Sequence, residues 1–230
     1  MAFTDDWLSL TTEETLEPDL KICDPHHHLW DAGFDPSAKF RSEQVESRYL
    51  FDEILAEVNS GHNVISTVFI ECMSMYKADG PAHLRPVGET EFVNGIAAMS
   101  ASGRYGSCRI AAGIVGLTDM NLGSGAREVL EAHISAGAGR FRGIRHAASW
   151  DASDDIRNSH TKPTQHMLAD ARFREGIAQL APLNLSFEAW CYHPQIPDMT
   201  DLAQAFPDTT IILNHFGGPL GIGPYAGKRE

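Results

Sequence analysis

Apolar and polar positions along the chain follow two alternating rhythms. Short runs rich in β-branched residues, of which Val64-Ile65-Ser66-Thr67-Val68-Phe69-Ile70 is the clearest, read as strands buried on both faces. Between them, apolar residues recur near helical spacing, as Leu168, Phe173, Ile177 and Leu180 do with Asp170, Arg174 and Gln179 between them, the pattern of an amphipathic helix. Strands are predicted over Leu20–Cys23, Val64–Ile70, Cys108–Val115, Phe141–Arg145, Leu185–Trp190 and Thr210–Leu213. Helices are predicted over Phe51–Asn59, Glu89–Ala101, Ala126–Ala136, Met167–Ala181 and Met199–Ala205. Asp52 opens the first helix acidically and Ser60-Gly61 stops it.

Strands that alternate with helices of this length imply an α/β architecture built on a parallel sheet. Six β/α units are visible, whereas a (β/α)8 TIM barrel needs eight. Two more units would take roughly 60 residues at about 30 per unit. After the sixth strand the chain runs into the Gly/Pro-rich segment 217–224. Such a chain is either an open α/β sheet or a barrel cut short, and the second is the expected fold: a (β/α)8 TIM barrel truncated after about six β/α units, as a single domain over residues 1–230. A chain of 230 residues that is 43% hydrophobic is long enough to fold as one such unit.

Charge and cysteine usage narrow the classes. The formal net charge is −13, from 18 basic and 31 acidic residues, and no cluster of Lys and Arg suggests a grip on nucleic acid phosphates. Cys23, Cys72, Cys108 and Cys191 form no C-x-x-C pair and lie in apolar stretches, which predicts buried, reduced thiols. The start, Met1-Ala2-Phe3-Thr4-Asp5-Asp6, is acidic where a signal peptide would be basic, and no run approaches the ~18 apolar residues of a membrane span. A cytoplasmic protein with a small-molecule substrate, no nucleic acid and no membrane is expected, with homo-oligomer formation left open.

The candidate chemistry gathers at strand ends, where barrel active sites are built. Asp24-Pro25-His26-His27-His28-Leu29-Trp30-Asp31 follows the first strand. Alternation turns His26 and His28 to one side and His27 to the other, and two adjacent imidazoles make half of a divalent metal site. A purification tag would sit at a terminus. His215 follows the sixth strand in Leu213-Asn214-His215-Phe216-Gly217-Gly218-Pro219, where glycines let backbone approach a ligand. Three imidazoles suit Zn or Mn, usually with a carboxylate, and Glu188 is the candidate. Arg145, in Phe141-Arg142-Gly143-Ile144-Arg145-His146, has the fork to grip a substrate carboxylate. Its neighbour His146, on the opposite face, is expected to be structural. Glu71, directly after the second strand, would face metal or substrate, and the loop onward to Gly88 would wall the pocket. Trp190, at the end of the fifth strand, and His193, just beyond it, are expected as further substrate contacts. His62, His83, His133, His160 and His166 lack partner motifs and are expected at the surface or as caps. There is no G-x-S-x-G elbow and no phosphate loop.

Asp24-Pro25-His26-His27-His28-Leu29-Trp30-Asp31, Gly143-Ile144-Arg145-His146 and Asn214-His215-Phe216-Gly217-Gly218-Pro219 together resemble the amidohydrolase-related (amidohydrolase 2) family of TIM-barrel hydrolases. The likeness is to the branch that holds sugar lactonases and 2-pyrone-4,6-dicarboxylate lactonase, and it spans roughly residues 20–220. The resemblance implies a water that attacks a lactone or related carbonyl. It implies catalytic roles for His26, His28 and His215, which in many relatives help bind a divalent metal (Zn or Mn) and in some lactonases act without one. It also implies a general-base Asp after an eighth strand, which the six strands found here do not include. The function expected is hydrolysis of a small, carboxylated lactone or related ester or amide. The alternatives are a metal-dependent decarboxylase of the same wider family, and an inactive truncated barrel with at most a binding role.

Overall fold

The structure, a computed structural model, describes residues 9–31 and 48–228. Six strands form one parallel sheet: β1 (Lys21–His27), β4 (Asn63–Ile70), β5 (Arg109–Gly116), β6 (Phe141–Arg145), β7 (Ser186–Ala189) and β8 (Ile211–Leu213), adjacent in that order. Helices α1 (Phe51–Val58), α2 (Val87–Ala101), α3 (Ala126–Ala136), α4 (Ala171–Ile177) and α5 (Ile196–Ala205) link successive strands. The sheet curls: β1 and β8 stand at its two ends, yet the rings of His26 and His215 lie 4.9 Å apart. Six of the eight β/α units of a TIM barrel are present as an open arc. A small antiparallel pair, β2 (Trp30–Asp31) with β3 (Arg48–Tyr49), was not legible in the sequence.

One core lies between sheet and helices. Phe69, Ile114, Ile144 and Phe187 from the strands pack with Ile54, Val93, Leu130, Phe173, Ile177 and Leu202 from the helices. Apolar burial of this kind is the main favourable term in folding. Gly143 is required where β6 and β7 approach: a Cβ there would lie 2.1 Å from Ser186 Oγ and 2.6 Å from its carbonyl oxygen.

Several expectations need correction. The first strand does not stop at Cys23 but runs through Pro25 to His27, with its register against β4 slipping between Asp24 and His27. Proline lacks the N–H that a ladder uses, which confines it to an edge strand or a bulge. The helix expected over Met167–Ala181 is broken into three. Asp170 ends a short 3-10 turn and caps α4 by accepting from Arg172 N–H and Phe173 N–H. A separate 3-10 turn then carries Pro182. The thiols are all free, but Cys23 is exposed, because β1 is the sheet edge. Among the described residues, no helix is long and apolar enough to cross a membrane.

Candidate active site

The C-terminal ends of β1, β6 and β8 bring His26, His28, Arg145 and His215 together. His26 and His28 share a face, with their Nε2 atoms 3.3 Å apart and their rings edge-on. His27 turns away into the core against Phe69. His28 Nδ1 lies 2.7 Å from the carbonyl oxygen of Ile70. A carbonyl only accepts, so Nδ1 carries the proton and His28 Nε2 presents a lone pair when the ring is neutral. His215 sits in a left-handed backbone conformation (φ 50°), followed by Phe216 (φ 55°). Two such non-glycine residues in succession store strain, which turns the His215 ring toward His26.

Trp190 is the wall that the site shares. The Arg145 guanidinium lies 5.1 Å from its ring centroid, and the His215 ring meets it edge-on at 5.7 Å. Burial, together with the charges of Arg145 and the neighbouring rings, holds His26 and His28 down to about 4. Burial and then Arg145 also lower His215. The three rings are therefore neutral at physiological pH, and Arg145 is the cation among them.

The structure changes the roles expected of the other residues. The fork of Arg145 does not face solvent for a substrate carboxylate. Its Nε donates to Glu71 Oε1 at 2.7 Å and its Nη2 to the Glu71 carbonyl at 2.5 Å. Only Nη1 is turned to the mouth, 3.5 Å from His26 Nε2. Glu71 is fully buried in this ion pair and does not face metal or substrate as expected. Burying either charge alone would be costly, so each group fixes the other. Glu188 lines a cleft of about 370 Å³ with His26 and His215, but its Oε2 accepts from Asn214 Nδ2 at 2.5 Å, and burial pushes its carboxyl up. His193 is drawn into holding the C-terminal segment, its Nδ1 accepting from Leu220 N–H and its ring against Tyr225. His146 is structural, accepting at Nδ1 from Met120 N–H and packing on Phe173. His133, expected at the surface, is fully buried between Thr90 and the Leu117 carbonyl.

A divalent ion fits this donor set only in part. The 3.3 Å between His26 Nε2 and His28 Nε2 matches one edge of a tetrahedron with Zn–N bonds of about 2.05 Å. Among the described residues, however, no three His, Cys, Asp or Glu side chains are placed to hold a metal. Arg145 Nη1 also puts positive charge 3.5 Å from His26 Nε2. The set expected from the sequence, His26, His28, His215 and Glu188, is thus not assembled as a metal centre among the described residues, and Glu188 Oε2 is held by Asn214.

Sequence reasoning missed Glu89, Tyr76 and Asn214. Glu89 sits in the first turn of α2, where an acidic residue ordinarily only complements the helix dipole. Instead it reaches back to the segment after β4.

The fold has known counterparts. The amidohydrolase family matches over residues 23–227, most of the chain. The chain belongs to the amidohydrolase family. Among curated relatives, the uncharacterized protein y4mH of Sinorhizobium fredii is 29% identical, over 86% of this chain and 63% of its own length. Among solved structures, amidohydrolase 2 from Bifidobacterium longum subsp. infantis superposes with TM-score 0.54 at 21% identity, covering 90% of this chain and 66% of that one. A Burkholderia multivorans amidohydrolase with bound Zn gives 0.52 at 21%, covering 85% and 57%. A putative 2-pyrone-4,6-dicarboxylic acid hydrolase from Pseudomonas putida gives 0.55 at 14%, covering 89% and 62%. These likenesses carry the barrel fold, and the chain spans less than two thirds of the length of each relative.

Proposed function

We propose that this amidohydrolase is a hydrolase of a small lactone, acting at the mouth formed by His26, His28, Arg145 and His215. The observation that carries the reading is the convergence of three neutral imidazoles on one guanidinium at the C-terminal strand ends. The names of the relatives, amidohydrolases and a putative pyrone dicarboxylic acid hydrolase, support hydrolytic chemistry.

The chemistry follows from the side chains. Arg145 Nη1 and a ring N–H of His26 are donors for a carbonyl oxygen, and they stabilise the negative charge that develops on it when water attacks. His28 Nε2, held bare by the Nδ1–H bond to Ile70, accepts the proton of that water. The proton then passes to the departing ring oxygen, which opens the lactone to a hydroxy acid. Trp190 excludes water from one side and offers a flat face to a planar ring. Because the fork of Arg145 is held by Glu71, Arg145 polarises the carbonyl rather than gripping a carboxylate. A carboxylated substrate would need a further cation. Since the described donors do not complete a metal centre, no step is assigned to a metal.

The test is a panel of sugar lactones and 2-pyrone acids incubated with the intact protein, with acid release and carbon dioxide followed together. Acid release without carbon dioxide is expected. Carbon dioxide release in step with substrate loss would make the protein a decarboxylase and overturn the reading. Turnover of nothing on the panel, with ligands still bound, would favour a barrel that only binds.

A further inference from the structure

Behind Arg145, on the edge of the guanidinium away from His26, buried oxygens lie without partners. Glu89 is 1% exposed. Its Oε1 accepts from the N–H of Cys72 at 3.1 Å and of Ser74 at 2.7 Å, whereas its Oε2 has no partner. Glu71 Oε2 and Tyr76 Oη are buried and equally unpartnered. Burial, and then the charges of Glu89 and Glu71, push the Tyr76 phenol up.

Two counts point the same way. Glu71 already neutralises Arg145. A second carboxylate beside it would be a buried charge with no counter-ion, the arrangement that folded proteins avoid by taking up a proton. Hydrogen bonding gives the second count: both amides that Glu89 holds meet its Oε1, and no donor among the described residues meets Oε2, so nothing compensates a charge on that oxygen.

We propose that Glu89 is a neutral carboxylic acid and a positioning residue, which acts through the Cys72 and Ser74 amides, next along the chain from Glu71, to aim Arg145 Nη1 at the mouth. Its Oε1 pins the segment after β4, where Met73 and Met75 take left-handed backbone conformations (φ 63° and 56°). Burial and then the Glu71 charge push the Glu89 carboxyl up to about 8, in keeping with the neutral form. The titratable groups that face it are Glu71 and Cys72 from the end of β4 and Tyr76 from the following segment, with Arg145 beyond Glu71. The functional importance of this device rests on the reading of the mouth as a hydrolytic site.

The test uses the intact protein labelled with carboxyl-13C glutamate, with Glu89 assigned through its backbone and checked by its loss in Glu89→Gln. Glutamine keeps an oxygen for the Cys72 and Ser74 amides and puts an N–H where the acid proton stood. The Glu89 carbon is expected at the protonated shift at pH 7, moving to the ionised shift as pH rises past about 8. The 15Nε resonance of Arg145 is expected unchanged in Glu89→Gln and displaced in Glu89→Ala. An ionised shift at pH 7, or an Arg145 resonance indifferent to Glu89→Ala, overturns the proposal. If Glu89→Ala does not fold, Glu89→Asp, whose shorter side chain draws the carboxyl back from the Cys72 and Ser74 amides, supplies the second reading, with displacement of Arg145 supporting and no displacement overturning. Neither resonance depends on turnover. A failure of the hydrolytic reading would leave them as they are, and their failure would leave the histidines' role standing.

Discussion

His133 shows how a single residue can be right in position and wrong in reading. Val129, Leu130 and His133 fall on one helical face, so the spacing that marks a buried stripe was present in the sequence. Only the residue type argued for the surface. In the fold it stacks flat on Phe141 at 4.9 Å and joins Thr90 to the Leu117 carbonyl. His133→Ala removes this packing and leaves Thr90 unpaired in the core, so a loss of about 3 kcal/mol is expected. Urea unfolding measures it, and a change within experimental error would contradict the assignment. The His26/His28 pair was legible, because strand alternation fixes which imidazoles share a side. The engagement of Arg145 was not. Its partner Glu71 stands 74 positions away, and no local pattern couples two residues whose meeting depends on β4 and β6 flanking β5.

At the scale of elements, the sequence placed all six strands of the sheet and the α/β alternation, because buried parallel strands need continuous apolar runs. Boundaries failed where one side chain outweighed periodicity. Asp170 is such a case: its carboxylate takes two amides that a continuous helix would have bonded internally. Asp170→Ala should cost about 1 kcal/mol, as helix caps do, read as a lower urea midpoint. A larger effect belongs to Gly143. Alanine there must push β7 away from β6, because its Cβ would overlap the Ser186 side chain and backbone. A loss of about 3 kcal/mol, or failure to fold, is expected for Gly143→Ala. A stability equal to wild type would mean that β6 and β7 are not as close as described.

At the scale of the whole molecule, the open arc and the buried imidazoles set the behaviour in solution. Ile212 and Leu213 on β8 are nearly half exposed and Phe216 almost wholly so (96%). An apolar sheet edge of this kind invites pairing with another chain. Concentration-dependent association is expected in sedimentation, weakened by Ile212→Lys. Association unaffected by that change would place the contact elsewhere. Acid sensitivity follows from His27, His133 and His146, each held by burial at about 4 against an ordinary value of 6.5. Between these values the unfolded chain binds more protons than the folded one. Their contribution to stability is therefore complete above pH 6.5 and lost as pH falls toward 4. The urea midpoint should drop between pH 7 and pH 5, and a rise would contradict the buried, neutral state of these rings.

The central claim is that this amidohydrolase barrel uses the His26, His28, Arg145 and His215 mouth for hydrolysis, with His28 as proton acceptor. The most direct measurement is kcat/KM for lactone opening by the intact protein beside His28→Ala, each checked for folding by circular dichroism. A fall of about 100-fold or more, the usual worth of a placed acid or base, with the fold retained, is the expected result. A folded His28→Ala protein that opens the same lactone at the wild-type rate would contradict the account.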